Sequence, residues 1–121
     1  MLDDIDALYA PEMRFVDPLN DVQGRDRFKR ITKNLNARLR EMRFDDLELV
    51  GDQPHFMLSW NCTMTSRLGL TIRTRGVTEF RSDEGLVTFH QDHWDMLGAA
   101  AGSIPGVGMI YGRITSRLFG D

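Results

Sequence analysis

Three consecutive stretches of this chain alternate in character at every second residue. A period of two means a β-strand whose faces meet different surroundings. In His55–Thr65, Phe56, Leu58, Trp60, Cys62 and Met64 form an apolar or soft set. The opposite set, His55, Met57, Ser59, Asn61, Thr63 and Thr65, is mostly polar. Leu70–Arg81 reads as the next strand, with Ile72, Thr74, Gly76, Thr78 and Phe80 on one face. Ser82-Asp83-Glu84-Gly85 has the composition of a tight hairpin turn and leads directly into Leu86–Asp95. Strands joined this way make an antiparallel meander. A shorter strand, Phe44–Val50, precedes them and ends at a Gly51-Asp52 turn.

Leu86–Asp95 carries the densest chemistry. His90, Asp92 and Trp94 fall on one face, at Cα spacings of roughly 7 Å. Val87, Phe89, Gln91 and His93 fall on the other. An imidazole, a carboxylate and an indole in one row can line a pocket. Equally, the row can face solvent while Val87 and Phe89 turn to the core, and the local pattern does not choose. His93 points away from His90 and Asp92 on a regular strand, so no metal site is expected there.

Before the sheet, Leu2–Ala10 has a helical spacing of apolar residues, and Pro11 is expected to stop it. Met13–Asp17 reads as a short strand with Met13, Phe15 and Asp17 on one face, closed by Pro18. An aspartate at a strand end is, on pattern, first a turn or cap residue. Gly24–Met42 is predicted helical, because Phe28, Ile31, Leu35, Leu39 and Met42 form one stripe. Its basic residues read as a solvated face. After the sheet, residues 96–121 are glycine-rich and read as a C-terminal extension packing on a single domain, with a last weak helix.

At 121 residues the chain is long enough for one domain with a real core. Its net charge of −3 gives no general pull toward nucleic acid. Cys62 is the one cysteine, which excludes an intrachain disulfide and a cysteine-based zinc site. The first ten residues are acidic and lack the apolar core of a signal peptide, and no apolar run approaches a membrane span. A cytoplasmic setting is expected. No phosphate loop, nucleotide fingerprint or Ser-His-Asp motif is present, so no cofactor is expected.

The order of elements, with Leu8-Tyr9-Ala10-Pro11, Phe15-Val16-Asp17-Pro18-Leu19, Gly24, Trp60, Gly76 and His90-Gln91-Asp92-His93-Trp94-Asp95, resembles the nuclear transport factor 2-like superfamily. The nearer likeness is to SnoaL-like domains. That resemblance implies an α+β, cystatin-like fold: a cone-shaped, curved antiparallel sheet wrapped around helices, with a pocket between. Ketosteroid isomerases of the same superfamily carry a base at the end of the first strand, and Asp17 falls on that position. Thr78 stands where their oxyanion aspartic acid would be. Their helical tyrosine has no counterpart, since Tyr9 lies too close to Asp17. Their oxyanion hole is therefore not reproduced, and steroid isomerisation is not expected. Their pocket-lining positions on the last strand fall on His90, Asp92 and Trp94.

Three functions fit these residues. One is an isomerase, cyclase or hydratase with Asp17 or Asp92 as general base and His90 as acid or orienting group. Phe15, Trp60, Thr78, Phe80 and Trp94 would then form the walls for a small apolar or aromatic molecule. The second is the same pocket as a non-catalytic binder. The third is a scaffold or interaction domain. A homodimer through the outer sheet face, where His55, Ser59, Asn61 and Thr63 lie near Arg73 and Arg75, is compatible with all three.

Overall fold

The structure is a computed structural model, which describes residues 2–95 together with 98, 99 and 117. The C-terminal extension expected over residues 96–121 lies, apart from those three residues, outside the described residues. The elements run α1 (Leu2–Leu8), β1 (Tyr9–Val16), β2 (Asp21–Gln23), α2 (Arg25–Arg38), β3 (Leu39–Asp52), β4 (His55–Ser66), β5 (Thr71–Asp83) and β6 (Leu86–Trp94). The six strands form one open sheet in the order β2-β1-β6-β5-β4-β3. β3 to β6 are the antiparallel meander. The hairpin between β5 and β6 turns on Glu84 and Gly85, both at positive φ (51° and 80°), as a two-residue turn of the primed kind requires.

One joint departs from an all-antiparallel sheet. β1 lies parallel to β6, pairing Phe15 with His90 and Val16 with Gln91, so the sheet is mixed. A parallel pair needs a long crossover, and everything from β2 to β5 supplies it.

Two boundaries also differ from expectation. The strand carrying Phe15 starts at Tyr9 rather than Met13 and runs through Pro11. α2 ends at Arg38, not Met42. Leu39 is already extended (φ −107°, ψ 141°) and pairs with Ser66, while Met42 pairs with Met64. Met42 keeps its apolar surroundings by facing inward from a strand, and the chain gains ladder hydrogen bonds to β4. Arg67 closes the shortened helix by donating from Nε to the Ala37 carbonyl, 2.7 Å away. At the other end Gly24 holds φ +106°, a region open to glycine, and starts the helix without a side-chain cap.

Ile5, Met13, Phe15 and Phe28 form the buried core, with Tyr9, Val22 and Ile31 packed against it. This core lies where α1 and α2 meet β1. Farther along, between α2 and the inner face of β3–β6, the packing opens into a cavity of about 400 Å³. Among the described residues no helix is long and apolar enough to cross a membrane.

Candidate functional site

Strand registers generate the cavity wall. Across β4, β5 and β6, Trp60 lies opposite Gly76, and Gly76 opposite Trp94. The next inward row is Leu58, Thr78, Asp92, and the next is Phe56, Phe80, His90. Phe15 on β1 continues that last row. Inward positions two residues apart on neighbouring strands are close enough for large side chains to touch. Gly76 leaves the space into which the Trp60 indole lies, since a Cβ there would stand 2.5 Å from Cη2 of Trp60.

The polar groups in these rows form one chain. Trp60 Nε1, a donor only, gives its proton to Thr78 Oγ1 at 2.8 Å. Thr78 therefore donates its own proton to Asp92 Oδ1, 2.6 Å away. The same Oδ1 lies 2.8 Å from His90 Nε2. A carboxylate oxygen accepts, so Nε2 donates, and in the tautomer with that one ring proton Nδ1 accepts from the Tyr9 hydroxyl at 2.7 Å. The His90 ring is boxed by the rings of Tyr9, Phe15, Phe28 and Phe80, with centroids 4.9–5.9 Å away. Its orientation is thereby set by packing as well as by both hydrogen bonds. Burial, with the charge of Asp92 second, raises the Tyr9 phenol well above its ordinary value, so Tyr9 remains a donor. Burial, again with Asp92 second, pushes the Cys62 thiol up to about 11, which removes it as a nucleophile near neutral pH.

Every residue singled out from the sequence borders the cavity: Asp17, His90, Asp92, Phe15, Trp60, Thr78, Phe80 and Trp94. Asp17 differs from Asp92 in how its carboxylate is engaged. Its Oδ1 accepts from the backbone N–H of Leu19 (2.8 Å) and Asn20 (2.7 Å), and Asn20 Nδ2 reaches both oxygens. Asp17 is thus the acceptor that holds the turn after β1 as well as a rim residue. Thr78 is not a free donor, because Asp92 takes its proton. His93 is on the outer face, 3.8 Å from Glu79. Among the described residues no group of three or more His, Cys, Asp or Glu side chains could hold a metal ion.

Tyr9 is the participant that sequence reasoning missed. Its spacing from Leu2, Ile5 and Leu8 fits a helix, and Pro11 looks like a stop. The alternation of Met13 and Phe15 does not reach back to it, since Ala10 is buried, Pro11 is exposed and the pairing with β6 shifts register between Tyr9 and Arg14. Its backbone is held too, because Arg25 Nη1 donates to the carbonyls of Tyr9 (3.1 Å) and Asp6 (3.3 Å).

The family model described as a SnoaL-like domain matches residues 1–90. No curated protein matches the chain. Among solved structures, the chain is similar to a candidate polyketide cyclase from Xanthomonas campestris pv. campestris. The two are 14% identical with a TM-score of 0.78, over 85% of this chain and 84% of that one. A candidate polyketide cyclase from Acidithiobacillus ferrooxidans is 23% identical with a TM-score of 0.67, over 84% of this chain and 80% of that one. A hypothetical protein with a ketosteroid isomerase-like fold from Catenulispora acidiphila, in complex with trimethylamine, is 14% identical with a TM-score of 0.73. That match covers 84% of this chain and 80% of the other. At such identities the likeness is one of fold, and the fold is the α+β, nuclear transport factor 2-like one that the sequence implied.

Proposed function

This chain belongs to the SnoaL-like domain family, and we propose that it binds a small, mainly apolar molecule in the cavity, with Asp92 as the group that accepts the ligand's proton. One observation carries this reading: a carboxylate lines an otherwise largely apolar cavity and is fixed there through one oxygen by Thr78 and His90. A carboxylate so placed has its second oxygen left as an acceptor for a group of the ligand, because both of its bonds to the described residues fall on Oδ1. In the enzymatic version Asp92 removes a proton next to a carbonyl, or activates water, and Asp17 is the second carboxylate at the rim. His90 orients Asp92 and supports its charge. The reaction would be an isomerisation, cyclisation or hydration, a class that the neighbouring candidate polyketide cyclases support.

A non-catalytic version is favoured by a different observation. Trp60, Thr78, His90 and Tyr9 each have their proton engaged within the chain of bonds, which leaves none of them to stabilise an oxyanion. One experiment separates the versions: hydrogen–deuterium exchange at carbon in a panel of cyclic and aromatic ketones, followed by NMR, beside quenching of Trp60 and Trp94 fluorescence. The enzymatic version expects exchange that falls by about 10²–10⁴-fold in Asp92→Asn while quenching persists. Quenching without exchange leaves the binder. Neither signal across the panel rejects both.

The outer sheet face supports a contact with a second copy of the chain, compatible with either version. Val50 and Met57 are paired across β3 and β4 on that face and are 59% and 40% exposed. Sedimentation that stays monomeric across the accessible concentration range would remove this contact. A reducing, cytoplasmic setting suits a buried, unpaired Cys62.

A further inference from the structure

We infer that the ligand of this cavity is a cation, an apolar molecule of aromatic dimensions that presents a protonated amine to Asp92. The inference rests on reading the cavity as a ligand site and adds the chemical class of the ligand. Two observations lead to it independently.

The first is charge. Among the described residues that line the cavity there are two carboxylates, Asp17 and Asp92, and no lysine or arginine. Three basic side chains on β1 and α2, the elements that carry Phe15 and Phe28, are engaged elsewhere. Arg14 pairs with Asp21, while Arg25 and Lys29 both pair with Asp6. Burial first, and then the charge of Asp92, raises the Tyr9 phenol and the Cys62 thiol, so the field of Asp92 is felt beyond its own hydrogen bonds. An anionic ligand would enter against that field in surroundings where charges are poorly screened. A cationic one would offset the cost of holding a carboxylate in an apolar cavity whose described lining has no lysine or arginine.

The second is the balance of donors and acceptors. Both bonds to Asp92 fall on Oδ1, and Oδ2 has no partner among the described residues. On the donor side, Trp60, Thr78 and His90 are engaged with one another or with Asp92, and Thr32 donates to the Phe28 carbonyl. Among the described lining residues, only the Thr74 hydroxyl and the weakly donating Cys62 thiol keep a side-chain proton to offer. The cavity therefore presents a strong vacant acceptor and almost no donor, so the complementary ligand group is a donor. An ammonium supplies three N–H donors and the charge together. Trp60, Trp94 and Phe80 also wall the cavity, and the face of an aromatic ring attracts a cation through its quadrupole.

Calorimetry of the full chain with three ligands that share one ring system tests this: 1-naphthylmethylamine, 1-naphthylmethanol and 1-naphthoate. The expected result is one-to-one binding of the amine at least ~10-fold tighter than the alcohol, with the carboxylate weakest. Asp92→Asn is expected to remove that preference, the amine losing more affinity than the alcohol. Equal binding of amine and alcohol, tightest binding of the carboxylate, or an amine affinity indifferent to Asp92→Asn each overturns the cation inference while the cavity remains a ligand site. Binding of none of the three overturns the ligand site along with it. Should Asp92→Asn fail to fold, as circular dichroism would report, the ranking of the three ligands on the unaltered chain still decides.

Discussion

Tyr9 fixes the far end of the polar chain by a single hydrogen bond, to Nδ1 of His90. Tyr9→Phe keeps the ring that packs on Phe28 and removes only the hydroxyl. It leaves a mostly buried nitrogen without a partner, at a cost of about 1–2 kcal/mol. The pH dependence is a sharper readout. Burial, and then Asp92, raises the folded-state pKa of the phenol above its ordinary 10.0. The folded protein thus holds this proton more tightly than the unfolded chain does. The stabilisation is complete below pH 10.0 and is lost as the pH climbs past it. Urea unfolding should show the stability of the unaltered chain falling from pH 9 to about 11 more steeply than that of Tyr9→Phe. Equal slopes would mean that Tyr9 is not held as described. The other members of the chain were legible in two steps: a strand's period of two puts His90 and Asp92 on one face, and the resemblance to the superfamily, not the period, turns that face to the pocket. Trp60, Thr78, His90 and Asp92 sit at inward positions of long strands. Tyr9 was not legible, because whether residues 8–12 are helix or strand depends on β6, some eighty positions away in the register that pairs Tyr9 with Val87.

At the scale of elements, the middle of β5 is where the sheet is least tolerant. A Cβ on Gly76 would meet Cη2 and Cζ2 of Trp60 at 2.5 and 2.6 Å and the His93 carbonyl oxygen at 2.8 Å. A side chain could swing aside, but the carbonyl belongs to the paired β6 backbone. Gly76→Ala should therefore destabilise the protein by about 1–3 kcal/mol and shift tryptophan emission as the Trp60 indole is displaced. Unchanged emission together with unchanged stability would contradict the registers that place Trp60 against Gly76. The same three strands show why some boundaries can be read and others cannot. The turn at Glu84 and Gly85 is encoded locally, by a glycine that takes positive φ without steric cost inside a polar run between two strands. The change from α2 to β3 is not, since Leu39 and Met42 satisfy a helical stripe and a strand face equally well. Pairing with Ser66 and Met64 decides it, and those partners lie beyond the reach of a local pattern.

Over the whole molecule, apolar surface is divided unevenly between a packed end and a hollow one. Met13 is fully buried, with Ile5, Phe15 and Phe28 around it. At the cavity several apolar side chains remain partly open, and Phe44 and Leu47 on β3 are 46% and 59% exposed. The response to truncation should differ accordingly. Met13→Ala removes a side chain that neighbours enclose on every side, and should cost about 2–5 kcal/mol. Leu58→Ala enlarges a space that already exists and removes fewer contacts, so it should cost less than about 2 kcal/mol in the unliganded protein. Ligand binding should reverse the comparison. A ligand held at about one hundred times its dissociation constant stabilises the protein by ~2.7 kcal/mol. Met13→Ala leaves the cavity wall intact and should keep that increment in full, whereas Leu58→Ala should bind the same ligand more weakly and gain less at the same ligand concentration. Paired urea titrations of the two variants, with and without 1-naphthylmethylamine, measure all four stabilities. An equal increment in both variants would mean that the ligand is held somewhere other than against the inner face of β4.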